Sequence, residues 1–261
     1  MSHKTTKPHV MPIPSPKELK EQPWFIKNWS NRDRATFSPE ALHLTCIPGK
    51  VGMEGGTGFR ALPLLKFPTN HLVYEYEVFF PEDFNFVKGG KLPGMGLGSG
   101  TESATGGDWK KDAGSVRIMW RERGQAIVYV YFPLQISKKG TRDGTITVQN
   151  AAFEKAADGS LGKHAGIDVF FKHRAGLKFK KGEWNTVRLD VKLNTPGKRD
   201  GVLSTTINGE TRSVDGVIFR NDPELAINMV LSQTFFGGST KEWAAKKTET
   251  ISFRNFRFTW P

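Results

Sequence analysis

Apolar residues in this chain recur with period two, in short runs separated by Gly, Pro, Asn and Asp clusters, and no window sustains an i, i+3, i+4, i+7 stripe over three helical turns. Side chains that alternate between two faces belong to half-buried strands, so the pattern leads to antiparallel sheets packed face to face. Strands are expected at 41–47, 72–80, 114–121, 125–132, 145–149, 166–172, 184–193, 202–207, 210–214, 225–235 and 249–260. Such spacing implies an all-β, two-sheet antiparallel sandwich. Two turns fix the order locally: Arg123-Gly124 joins 114–121 to 125–132, and Asn208-Gly209 joins 202–207 to 210–214 as a type I′ turn.

A sandwich of ~200–250 residues folds as one unit, so residues 22–261 are expected to form a single domain. Residues 1–21, with Pro8, Pro12, Pro14, Pro16 and several lysines, read as a flexible basic tail. The segment 150–165 suits either a helical turn or an ordered loop. Cys46 is the single cysteine and the six histidines show no HxH or HExxH spacing, so neither a metal nor a cofactor is expected. The first twenty residues are too polar for a secretory signal, and no apolar run reaches the ~18–20 residues that span a bilayer. A soluble monomer with no membrane partner is the expectation. The charge sum, 38 basic minus 26 acidic residues, is +12, and 14 basic against 7 acidic residues in 131–200 supply +7 of it. Such an excess favours a polyanionic partner.

One strand pair carries chemistry. In QAIVYVYF (125–132), Ala126, Val128, Val130 and Phe132 take one face, and Gln125, Ile127, Tyr129 and Tyr131 the other. In SVRIMWR (115–121), Val116, Ile118 and Trp120 are apolar, which leaves Ser115, Arg117, Met119 and Arg121 opposite. A hydroxyl, two guanidinium groups and two phenols thus share one surface outside the core. Cleaving a polyuronate by β-elimination needs a cation to neutralise the carboxylate, a base for the C5 proton and an acid for the departing O4. Arg117 suits the first role through its bidentate fork, and Tyr129 or Tyr131 suits the proton transfers. Upstream, FNFVKGGKLPGMGLGSG (84–100) is no phosphate loop, since no GK[ST] follows. Its glycines are expected to let backbone approach a ligand or to turn sharply, with Lys91 either in the groove or a solvated turn lysine.

These residues resemble polysaccharide lyase family 14, the alginate and glucuronan lyases of algal viruses and marine invertebrates. The similarity rests on VFFPEDFNFVKGGKLPG (78–94), on S-x-R followed by Y-x-Y (Ser115, Arg117, Tyr129, Tyr131) and on TFFGGS (234–239), and spans roughly 70 to 260. It implies a β-jelly-roll sandwich with a concave substrate cleft, in which Lys91, Ser115, Arg117, Tyr129 and Tyr131 match the family's catalytic residues. Substrate contacts are then expected from Lys88, Met119, Arg121, Gln125, Asn228 and Ser232. The last two are placed opposite Leu225, Ile227, Met229 and Leu231 by simple alternation, and Phe235 to Gly238 are expected to close the cleft edge or simply to turn the chain. The expected partner is an acidic polysaccharide, alginate, glucuronan or a related polyuronate.

Three rival readings remain at this level. Glu75 and Glu77 share a strand face, as the carboxylates of a retaining glycosidase do at ~5–5.5 Å. A non-catalytic carbohydrate-binding module would use the same sandwich. A nucleic-acid binder would use the same positive charge, but no RNP or zinc-finger pattern is present, and no nucleic-acid partner is expected. His164 and His173 read as surface or loop histidines, with assistance to proton transfer as the alternative.

Overall fold

The computed structural model describes residues 9–10, 24–63, 68–103, 110, 112–133, 166–169 and 177–260. Its strands are β1 (His9–Val10), β2 (Trp24–Ser30), β3 (Ala35–Phe37), β4 (Leu42–Cys46), β5 (Thr57–Pro63), β6 (His71–Phe79), β7 (Gly89–Gly98) and β8 (Ala113–Arg121). They continue with β9 (Ala126–Tyr131), β10 (Gly166–Val169), β11 (Trp184–Lys192), β12 (Gly201–Ile207), β13 (Glu210–Val217), β14 (Ala226–Phe236) and β15 (Glu249–Thr259). One four-residue helix, α1 (Gly52–Gly55), precedes β5.

Two antiparallel sheets form a jelly-roll sandwich. Sheet I runs β13-β12-β11-β6-β15-β4-β3, with β1 added on β15, and sheet II runs β10-β9-β8-β7-β14-β5-β2. The turns follow the sequence reading: Asn208 and Gly209 both have positive φ, 51° and 84°, as a type I′ hairpin requires, and Arg123 and Gly124 have 59° and 77°. His9 and Val10 pair with Phe258 and Arg257, so this part of the expected tail lies on sheet I. The expected strand at 145–149, the segment 150–165, His164, His173 and most of the basic stretch 131–200 lie outside the described residues.

Alternation held where strands are regular and failed where glycine broke the apolar signal. The segment 84–100 is not mainly a turn; its second half is β7, a strand buried along its whole length. Its glycines answer to the protein's own crowding. A Cβ on Gly94 would lie 2.2 Å from the Val116 carbonyl oxygen, and one on Gly96 would lie 2.6 Å from Met229 Cγ. β2, β3 and β5 were likewise unexpected, since none alternates cleanly.

Between the sheets, Phe80, Phe84, Phe86, Trp120 and Phe236 form an aromatic centre in which Trp120 meets Phe84 and Phe236 edge to face, at 5.9 and 5.2 Å between centroids. Trp120 Nε1 donates to the Phe86 carbonyl at 3.0 Å, so the buried indole keeps its hydrogen bond. Cys46 is buried in this core and its thiol is pushed up to about 12 by desolvation, which makes it inert as a nucleophile at neutral pH.

Glu249, at the start of β15, is buried at 2 % exposure and accepts the Asn85 backbone N–H at 3.1 Å. Desolvation raises its carboxyl above the ordinary value, so the folded chain holds this proton more tightly than the unfolded one and stability falls as pH rises through that window. Glu249→Gln keeps the acceptor without the charge. Its melting temperature should exceed wild type at neutral pH, and the difference should shrink as pH falls to about 4, near the ordinary glutamate value. A constant offset across that range would assign the effect to packing.

Candidate active site

The outward face of sheet II is built from cross-strand rows, because residues paired in register share a face. One row runs Phe235, Lys91, Met119, Ile127. The next runs Asn28, Arg60, Leu231, Gly94, Arg117, Tyr129, Asp168. The third runs Met229, Gly96, Ser115, Tyr131, Gly166. Lys91, Ser115, Arg117, Met119, Tyr129 and Tyr131 therefore come together on three adjacent strands, β7, β8 and β9.

Bulges make this possible. Two residues, Leu92 and Pro93, separate Lys91 from Gly94, while Ile118 alone separates their partners Met119 and Arg117. The extra residue puts Lys91 on the same face as Gly94 and Gly96, while Leu92, Met95 and Leu97 point into the core. β14 bulges at the same level, between Leu231 and Phe235. The two strands thus part locally, and side chains take over the carbonyls that the ladder leaves. Arg117 donates from Nε to the Leu92 carbonyl at 3.1 Å and from Nη2 to the Gln233 carbonyl. Thr234 Oγ1 donates to the Lys91 carbonyl at 2.9 Å, and Tyr76 Oη to the Pro93 carbonyl at 3.2 Å.

The orientation of Arg117 differs from the one expected of a carboxylate fork. Its side chain is buried and its fork is turned onto the sheet's own carbonyls, so it does not present two parallel donors to a carboxylate. What it contributes is charge. Burial and the neighbouring Arg60 pull its pKa down, to about 9, while Tyr76, Tyr131 and Tyr74 pull the other way. It stays a cation at neutral pH. All four tyrosines of the chain gather about it: Tyr129 beside it in register, Tyr131 within Coulombic reach, and Tyr74 and Tyr76 from sheet I beneath. Desolvation raises the phenols of Tyr74 and Tyr76, which keeps both neutral.

Above the sheet, Lys91 Nζ sits 3.0 Å from the Tyr129 ring centroid and 5.7 Å from that of Tyr131, and donates to Met119 Sδ at 2.8 Å. The two tyrosine rings meet edge to face at 5.2 Å. Lys91 and Tyr131 retain 7 % and 6 % exposure, Ser115 none, and Tyr129 is half-buried. Among the residues whose side chains are described, the strands of sheet II carry Arg60, Lys91, Arg117 and Arg121 and no acid, whereas those of sheet I mix both signs. The field on this side is positive.

The outer contacts divide. Lys88 is ion-paired with Glu242, and the Arg121 guanidinium lies 5.3 Å over the Trp243 ring, so both are engaged with the 237–248 loop. Gln125 stands at the β8–β9 turn, where its carbonyl accepts the Arg121 N–H at 2.7 Å. Ser232 is not on this face: it points into the core and shares a 2.9 Å hydrogen bond with Tyr74 Oη. Asn228 anchors the 99–103 loop, donating from Nδ2 to the Gly100 and Glu102 carbonyls at 2.6 and 2.7 Å. The cause is a second irregularity in β14 between Ile227 and Met229, which leaves Ile227 inside and turns Met229 and Leu231 outward.

Glu75 and Glu77 lie on sheet I, on the face away from the core. Glu77 accepts from Arg254 Nε and Asn255 Nδ2, both at 2.7 Å, and Glu75 approaches Arg188 at 3.9 Å. Held in ion pairs on the far sheet, they do not form a glycosidase pair with the tyrosine face. A cavity of about 820 Å³ opens at the end of the sandwich, lined by Glu82, Asp83, Asn85, Arg123 and Lys180 among others, and its mixed charges also set it apart. Among the described residues no cluster of His, Cys, Asp or Glu is arranged to hold a metal, and no helix is long and apolar enough to cross a membrane.

Comparison with known proteins bears on the family and the fold. The family model Polysaccharide lyase 14 matches residues 40–256. The curated protein Exolysin of Paramecium bursaria Chlorella virus 1 is 26 % identical over 182 residues, which is 64 % of this chain. The chain spans about a quarter of that relative, 26 % of its length. Among solved structures, an alginate lyase from Chlorella virus superposes with TM-score 0.73 at 24 % identity, covering 97 % of this chain and 100 % of its own. The marine alginate lyase from Aplysia kurodai gives 0.78 at 24 %, covering 99 % and 100 %. The endo-β-1,4-glucuronan lyase from Trichoderma reesei gives 0.54 at 11 %, covering 99 % and 92 %. Likenesses at these identities establish the sandwich.

Proposed function

The chain belongs to the polysaccharide lyase 14 family, and from that premise we propose that it cleaves an acidic polyuronate of the alginate or glucuronan type by β-elimination on the outward face of sheet II. The observation that carries the reading is the convergence of Lys91, Arg117, Tyr129 and Tyr131 on three adjacent strands. In the reaction the C5–H bond breaks, its electrons form the 4,5-double bond, and the C4–O4 bond breaks as O4 takes up a proton. The ammonium of Lys91, at the surface of the set, neutralises the uronate carboxylate and so acidifies C5–H. Arg117 acts from beneath, its charge favouring the phenolate form of Tyr131 that takes up the C5 proton. Tyr131 is the first choice for moving the C5 proton, with Tyr129 as its counterpart towards O4. Ser115 is fully buried opposite Tyr131 and acts by holding that strand position.

Incubation with alginate and with glucuronan should produce ultraviolet absorbance from the unsaturated non-reducing ends. Saturated products with new reducing ends would instead mean hydrolysis. Binding without any product would leave a carbohydrate-binding module.

A further inference from the structure

Arg60 was not singled out by sequence pattern, and its surroundings are unusual. It lies on β5 between Phe59 and Ala61, which both face the core, so its own side chain leaves the sheet on the tyrosine side. It is half-buried, its Nε is buried with no hydrogen-bond partner, and among the described residues no carboxylate pairs with it. A buried donor without a partner on a cationic side chain is costly and calls for an anion or ordered water. Arg60 also stands in the same cross-strand row as Arg117 and Tyr129, separated from Arg117 by Leu231 and the side-chain-free Gly94. The two guanidinium groups repel, since Arg60 disfavours the charge on Arg117.

We propose that Arg60 binds the carboxylate of a second uronate, on a sugar further along the same chain than the one held at Tyr129 and Tyr131. The inference rests on the polyuronate reading. Strands lie ~4.8 Å apart, so the backbone of Arg60 stands about 19 Å from that of Tyr129 across four strand spacings, near the opposite edge of sheet II. A polyuronate crossing the strands passes Lys91 and Tyr129, then the Arg117 charge, then Arg60. Its repeating carboxylates meet cations along a face on whose strands no acid is found among the residues with described side chains. The guanidinium offers the fork that Arg117 has turned inward.

The test compares wild type, Arg60→Gln and Arg60→Lys on polymeric alginate and glucuronan and on the shortest oligouronate that wild type cleaves. For Arg60→Gln, KM on polymer should rise about tenfold with kcat within about twofold. The short oligomer should show a smaller change. Arg60→Lys should fall between, keeping the charge without the fork. The melting temperature of Arg60→Gln should equal or exceed wild type, since a like charge beside Arg117 is gone, whereas an arginine that merely braces β5 would lower it. An unchanged KM on polymer, or equal losses on polymer and oligomer, overturns the proposal. Direct binding of the same polymers, with a neutral glucan as control, separates the two levels. If wild type makes no unsaturated ends the lyase reading fails, yet tenfold weaker polymer binding by Arg60→Gln would still uphold this site. Equal binding by both proteins would remove it.

Discussion

Replacing Tyr131 with Phe is expected to lower turnover on the cleaved polyuronate by about 10²–10⁴-fold while leaving the melting temperature near wild type. The substitution removes one hydroxyl and keeps the ring, so the edge-to-face contact with Tyr129 at 5.2 Å and the pairing of Tyr131 with Ser115 both persist. The loss should appear in kcat more than in KM, because a proton-transfer group acts in the transition state. Tyr129→Phe is the internal comparison. Its ring also carries the contact with Lys91 Nζ at 3.0 Å, which Phe preserves, so any loss there reports the phenol itself. If Tyr129→Phe loses turnover and Tyr131→Phe does not, the two phenols exchange roles. If neither does, this face is structural and the chemistry lies elsewhere.

Arg117→Lys should damage both stability and catalysis. Lysine keeps the positive charge beneath Tyr131, but it cannot donate to the Leu92 and Gln233 carbonyls with the geometry of a guanidinium. Those carbonyls sit where β7 and β14 part, so the ladder offers no substitute. A buried carbonyl left unbonded costs about 1–3 kcal/mol, and in a chain of this size each kcal/mol lowers Tm by about 2–4 °C. Turnover should fall by about 10²-fold, since the charge beneath the phenols is no longer held in place. A variant that melts like wild type would show that the clamp is dispensable. One that melts lower but turns over normally would confine Arg117 to structure.

Much of the site was legible because facing is a local property. S-x-R on one strand and Y-x-Y on the next put Ser115, Arg117, Tyr129 and Tyr131 on one face by alternation alone, and the Arg123-Gly124 turn made the strands neighbours. Where a strand is irregular the same rule misled. Alternation through 225–235 placed Ser232 towards a substrate and Leu231 in the core, and the irregularities of β14 reverse both. In 84–100 glycine and proline concealed a strand, since neither contributes to an apolar pattern. Tyr74 and Tyr76 lay in a strand noticed only for its glutamates, although their phenols reach across the core to the split in sheet II.

By itself, then, the sequence determined the class of fold, the main hairpins, the positive charge and the side chains that share the β8–β9 face, because each follows from period-two geometry or from turn residues a few positions apart. Tertiary structure decided which way Arg117 points, that all four tyrosines surround it, that Glu75 and Glu77 stand on the opposite sheet, and that Arg60 joins the row from a strand distant in sequence. Those outcomes depend on pairing between remote segments and on single-residue bulges. A bulge turns every later side chain to the other face without leaving a mark in the local apolar pattern.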